Sequence, residues 1–232
     1  MLIKLDHNKM GRSNLGWLNS LFHFSFAEYF NRYNMNFGVL RVLNDDVIRP
    51  HTGFDTHPHK DMEIVTYIIE GELTHADSMN NERTLSRGEV QYMSAGTGVY
   101  HSEKNQGEVP LRLLQLWIVP DGRGYLPNYG DHSFPWNDRV NQWLHLVSNI
   151  EGTTPITIHQ DANIYATFLE KGKNLTFPVQ KGRQAYLVQI EGNSFVNEVE
   201  LIERDAIQIL EESIELKAIT DSHYLLVEMK KK

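Results

Sequence analysis

The stretch GFDTHPHKDMEIVTYIIEG, residues 53–71, decides the fold. It sets two histidines one residue apart, then a glutamate, then a run rich in β-branched residues closed by Glu70-Gly71. A run of this kind that ends in a glycine turn reads as a short strand. Similar runs recur at residues 39–43, 90–93, 111–119, 185–190, 206–210 and 224–229, and Arg87-Gly88 and Glu191-Gly192 bound several of them. Helical periodicity is scarce, so an all-β sandwich or barrel of short strands is expected.

Composition narrows the function. At 232 residues with 41% hydrophobic content, the chain can fill one large β domain or two ordinary ones. Thirty acidic against twenty-two basic residues give a net charge of −8, and the run Lys230-Lys231-Lys232 is too short to track a phosphate backbone. Direct nucleic-acid binding is not expected. There is no cysteine, which excludes disulfides, thiolate nucleophiles and sulfur-ligated metals. Any metal here must take nitrogen and oxygen ligands. Charges interrupt the first residues, and no apolar run approaches the ~18 residues of a membrane span, so the expected setting is cytoplasmic, without membrane contact.

Between residues 120 and 141 the texture turns to Asp, Gly, Asn and Pro with scattered aromatics, which reads as a connecting segment. A division into domains 1–138 and 139–232 follows. The halves echo one another: residues 66–93 and 186–210 each carry a strand, a Glu-Gly turn, a strand, an Arg-containing turn and another strand. Aligned on that Glu-Gly turn, Pro178, Gln180 and Gln184 stand where His57, His59 and Glu63 stand in the first half. A metal site therefore belongs to the first half alone.

Residues i and i+2 of a strand share a face, so His57 and His59 can converge on one ion. Glu63 has the same parity on what reads as one extended segment, which suits either a ligand or a supporting carboxylate. A second cluster, GEVQYMSAGTGVYHSEKN, repeats the spacing with His101 and Glu103. A lone His-x-His is ordinarily a pair of solvated residues, and the second pair at strand parity is what favours a metal. Three imidazoles and a carboxylate suit a first-row divalent ion and leave about two positions of an octahedron open. His75 and His23 are singletons and read as satisfied polar residues.

The first cluster resembles the first cupin motif, and residues 88–105 resemble a stretched form of the second. HFSFAEYF, LRVLNDDVI, GFDTHPHKDMEIVTYIIEGELTHADSMNN and MSAGTGVYHSEKN together resemble the bacterial branch of the pirin family. The resemblance implies a bicupin of two jelly-roll β-barrels, the first holding a metal and the second, degenerate, lacking ligands. It carries the metal ligands onto His57, His59, His101 and Glu103, makes Glu63 a supporting residue, and implies Fe(II) foremost, with Ni, Mn, Co, Cu or Zn also accepted. It further implies a quercetin 2,3-dioxygenase activity on a flavonol and O2, with Glu103 as catalytic acceptor of the substrate's 3-hydroxyl proton. The alternative from the same resemblance is a non-catalytic, metal- or redox-responsive regulator that binds a transcription or metabolic protein partner.

Overall fold

The computed structural model describes residues 1–231. In chain order its strands are β1 (Leu2–Leu5), β2 (Gly11–Asn14), β3 (Leu18–Phe22), β4 (Leu40–Ile48), β5 (Thr52–His59), β6 (Glu63–Glu70), β7 (Leu73–Asp77), β8 (Glu82–Leu85), β9 (Val90–Ser94), β10 (Val99–Asn105) and β11 (Leu111–Ile118). They continue with β12 (Asn128–His132), β13 (Leu144–Asn149), β14 (Ile156–Ile158), β15 (Ala162–Leu169), β16 (Asn174–Phe177), β17 (Arg183–Glu191), β18 (Ser194–Val196), β19 (Val199–Leu201), β20 (Ala206–Leu210), β21 (Ile214–Ala218) and β22 (Ser222–Lys230). Short 3-10 turns at His7–Lys9 and Trp136–Arg139 are the helical elements among the described residues. The all-β expectation holds, and each apolar run read from the sequence lies in one of these strands, with only Val39 and Val119 falling one residue outside.

The chain forms two compact units. One comprises Met10–Phe134 with Ile158–Gln160; the other comprises Met1–Lys9, Pro135–Thr157 and the chain from Asp161 onward. In the first, a seven-stranded sheet ordered β12-β9-β6-β11-β4-β3-β2 accompanies a four-stranded sheet ordered β5-β10-β7-β8. In the second, the corresponding sheets are β1-β20-β17-β22-β15-β13-β14 and β16-β21-β18-β19. Adding eleven to each label turns β5-β10-β7-β8 into β16-β21-β18-β19, and β9-β6-β11-β4 into β20-β17-β22-β15. The internal echo is thus a duplication of topology. Successive strands repeatedly change sheet within a unit, which is the jelly-roll arrangement.

Both Glu-Gly turns need their glycine for the same reason. Gly71 has φ +75 and a Cβ there would lie 2.6 Å from the Pro110 carbonyl oxygen; Gly192 has φ +79 and its Cβ would lie 2.1 Å from that of Asp221. In each case the backbone entering the neighbouring strand, β11 or β22, passes where a side chain would be. Apolar residues from both sheets fill the space between them: Ile48, Ile68, Leu73, Leu85 and Leu113 in the first unit, and Phe177, Leu187, Val196, Ile207 and Leu226 in the second.

The segment read as a connector contains β12, which pairs antiparallel with β9 from Asn128↔Ser94 to His132↔Val90. Asn-Tyr-Gly-Asp-His has little strand propensity of its own, so the pairing with β9 makes it a strand. The matching edge of the second unit is taken by β1, paired with β20 from Leu2↔Ile209 to Leu5↔Ala206.

Three donors follow β1 to the buried Asp205 carboxylate. The His7 N–H and Nδ1 lie 3.0 and 2.8 Å from Oδ1, and Lys4 Nζ lies 2.9 Å from Oδ2. Burial alone would raise this carboxyl, but the hydrogen bonds from His7 and Lys4 outweigh it and hold it below the usual range. Its contribution to stability is present above the ordinary carboxylate value and is lost as pH falls through the depressed one. Deleting Met1–Lys9 removes an edge strand and leaves a buried charge without these partners, so thermal denaturation at neutral pH should show a loss on the order of 3 kcal/mol or more. A melting temperature equal to that of the full chain would contradict this role for the N-terminal strand.

Candidate functional site

β10 lies between β5 and β7. His101 pairs directly with His57, and Val99 pairs with His59; on the other side His101 pairs with Asp77 and Glu103 with His75. Direct partners share a face, as do residues two apart along a strand, so His57, His59, His101, Glu103 and His75 all present to one side of the four-stranded sheet. The ladder shifts by one residue between His101 and Glu103, so that Glu103 meets Phe54 rather than Asp55. This bulge leaves Asp55 and Thr56 both exposed and turns Phe54 inward beside the histidines.

The three imidazoles form a tight triangle. Ring centroids are 4.5 Å apart for His57 and His101 and 4.8 Å for the other two pairs, and the Nε2 atoms of His57 and His101 are 3.1 Å apart. His57 Nδ1 donates to the Asp55 carbonyl at 2.8 Å, which directs its bare Nε2 into the triangle. Burial, together with the neighbouring imidazoles, pushes His59 down to about 4 and His101 to about 3, so both are neutral at physiological pH. Imidazoles whose ring nitrogens lie within 4.8 Å of one another are the donor set that a first-row divalent cation takes up. The residues present therefore fit a metal.

Glu103 is 1% exposed. Its Oε1 accepts from Gln91 Nε2 at 2.7 Å and from the Thr66 hydroxyl at 3.4 Å, and its Oε2 accepts from Gln115 Nε2 at 2.7 Å. Two groups of potential ligand atoms, each spanning no more than 4.8 Å, share His101: His57, His59 and His101 in one, and His75, His101 and Glu103 in the other. His75, read from the sequence as a satisfied polar residue, is fully buried; its Nε2 bonds Asp77 Oδ2 at 3.0 Å and its ring stacks on Tyr129 at 4.4 Å.

Glu63 departs from the single extended segment expected for residues 57–63. β5 ends at His59, Asp61 turns the chain with φ 48, and β6 begins at Glu63 in the other sheet. The Glu63 carboxylate accepts from the Tyr92 hydroxyl at 2.9 Å and the Ser94 hydroxyl at 2.7 Å, with the His159 N–H at 3.3 Å. Parity counted through residues 60–62 does not survive the change of sheet.

A cavity of about 260 Å³ opens beside the cluster, with His57, His59 and Glu103 on one wall and Phe22, Phe26, Phe54 and Trp117 among its aromatic lining. His59 meets Trp117 edge to face at 4.9 Å. Gln91, Gln115 and Trp117 were not singled out in the sequence. For Gln91 and Gln115 the signal is a single amide within a mostly apolar strand, in VQYMS and LRLLQLWI.

The second unit keeps the framework and loses the chemistry. Val196 stands as far beyond Gly192 as His75 stands beyond Gly71, and its partner across the ladder is Leu216, in the place of Glu103. Ile214, two residues before Leu216, corresponds to His101. All three belong to the apolar core of that unit.

Comparisons with known proteins agree with this architecture. The family model described as "Pirin" matches residues 5–118, and the model described as "Quercetinase C-terminal cupin domain" matches residues 145–229. A Caulobacter vibrioides protein named "Pirin-like protein" is 40% identical over 98% of this chain and 99% of its own length. "Quercetin 2,3-dioxygenase" of Escherichia coli K12 is 39% identical over 96% of both chains. The crystal structure of the bacterial pirin YhhW from Escherichia coli in complex with nickel(II) matches with a TM-score of 0.92 at 37% identity, covering 100% of each chain. With a duplicated jelly-roll, a histidine cluster confined to the first half and relatives similar over nearly their whole length, the chain belongs to the pirin family of bicupins.

Proposed function

We propose that this pirin is a metal-dependent dioxygenase that cleaves flavonols such as quercetin with O2. The observation that carries the reading is the cluster of three imidazoles, two of which, His57 and His59, stand with the buried Glu103 carboxylate on the wall of one aromatic-lined cavity. The name of the Escherichia coli relative supports the substrate class. A volume of about 260 Å³ is at the small end for ligand pockets, which suits one planar aromatic molecule rather than a polymer.

His57, His59, His101 and Glu103 are the ligand set for one divalent ion, Fe(II) foremost; nickel, manganese, cobalt, copper and zinc also accept nitrogen and oxygen donors. A bound ion supplies Lewis acidity and redox chemistry at the wall of the cavity. The chain's own groups do the rest. Glu103 accepts the proton of the substrate's 3-hydroxyl, and Gln91 and Gln115 hold its two oxygens in place while it does so. Phe22, Phe54 and Trp117 pack on the faces and edges of the ring system and exclude water.

Elemental analysis of purified protein should find about one metal per chain, and His57→Ala and His101→Ala should each lose most of it while remaining folded. Glu103→Gln should lose more metal than Glu63→Gln, because the Glu63 carboxylate is bound by Tyr92 and Ser94. Equal metal content in wild type and both histidine variants would remove the ligand assignment.

With metal in place, the visible absorbance of quercetin should fall only when oxygen is supplied, with release of carbon monoxide. Glu103→Ala should lower the rate per bound metal by roughly 10²–10⁴, the range for loss of a general base. Metal-replete protein that consumes no quercetin above a free-metal control would sink the flavonol reading and favour a binding role.

A further inference from the structure

The cavity has a polar wall that the proposed chemistry does not use. On β4, Asn44 and Asp46 are two apart and share the inward face; Asn44 pairs with Phe22 of β3 and Gln115 of β11, and Asp46 pairs with Ser20 of β3. Since Gln115 reaches Glu103, the row Phe22–Asn44–Gln115–Thr66–Gln91 crosses the seven-stranded sheet on its interior side. Asp46 stands one pair further along β4, about 6.6 Å from that row. Ser20, Asn44 and Asp46 all line the cavity.

These side chains are buried and incompletely bonded. Asn44 is 3% and Asp46 2% exposed, and the Oδ1 atom of each has no hydrogen-bond partner among the described residues. The adjacent Asp45, on the opposite face of the strand, is treated differently. Its carboxylate is held by Arg112 at 2.8 and 3.0 Å. A buried acceptor without a donor costs about 1–3 kcal/mol. Together with Ser20, the two residues give the otherwise aromatic cavity a polar wall, the complement of a ligand that carries hydroxyl groups.

We infer that Asn44 and Asp46 form a hydroxyl-recognition subsite, which takes phenolic O–H groups of the aromatic ligand other than the 3-hydroxyl. The inference rests on the flavonol reading and adds to it the reason for preferring a polyhydroxylated substrate. Burial raises the Asp46 carboxyl to about 7 despite the hydrogen bond from Ser20, which lets it lie in the cavity without a full charge. A wall built to hydrogen-bond a ligand hydroxyl discriminates strongly against the analogue that lacks it.

The test is a binding titration of the metal-loaded protein without oxygen, followed by tryptophan fluorescence, with quercetin and with 3-hydroxyflavone, which keeps only the 3-hydroxyl. Wild type should bind quercetin at least about ten-fold more tightly, equivalent to one to two neutral hydrogen bonds. Asn44→Leu and Asp46→Leu should each reduce that ratio several-fold, leave 3-hydroxyflavone binding unchanged or improved, and leave the melting temperature unchanged or raised. A merely structural role would instead lower the melting temperature and weaken both ligands equally, which would overturn the subsite, as would a ratio unaltered by both variants. Should leucine at either position prevent folding, Asn44→Ala and Asp46→Ala carry the same comparison. Binding of both flavonols by wild type without preference leaves the flavonol reading standing and removes the subsite; binding of neither removes both.

Discussion

A carboxylate at 1% exposure, Glu103, is the constraint around which the first unit is organised. Burying such a charge costs several kcal/mol unless its lone pairs are satisfied. Here the donors are Thr66, Gln91 and Gln115, on β6, β9 and β11 of the sheet opposite its own. The hydrogen bonds therefore tie the four-stranded sheet to the seven-stranded one at the point where the histidines converge. The position and orientation of the carboxylate depend on the packing of both sheets, and the cavity beside it depends on the same packing.

The second unit shows what the same topology does without that demand. Val196, Ile214 and Leu216 replace the polar positions, and they close into a core with Phe177 and Val179. None of these three positions carries a charge to be satisfied, so apolar side chains fill the space between the sheets. The duplicated strand order thus tolerates either a polar histidine cluster or a packed apolar core, and the choice rests on a few inward positions of β5, β7 and β10 and of their counterparts in the second unit.

Much of this was legible before the structure. The strand runs, the Glu-Gly turns, the echo between halves and the two His-x-His and His-x-Glu pairs are local patterns, and strand parity is enough to place His57 with His59 and His101 with Glu103. Glu63 shows where parity stops. Asp61 turns the chain into a different sheet, and a period of two has meaning only within one strand. The strand Asn128–His132 was illegible for a related reason, since a polar edge strand owes its conformation to its partner rather than to its own residues.

By itself the sequence determined an all-β duplicated chain and the half that carries the paired His-x-His and His-x-Glu side chains, because periodicity and residue spacing are properties of short stretches. Only the tertiary structure decided that His57 lies directly across from His101, that a bulge turns Phe54 inward, that Gln91 and Gln115 hold Glu103, and that Asn44 and Asp46 face the cavity while Asp45 goes to Arg112. These are contacts between residues 12 or more positions apart, or choices of face set by ladder register. Chain order does not encode such distances locally; the packing of one sheet on the other does.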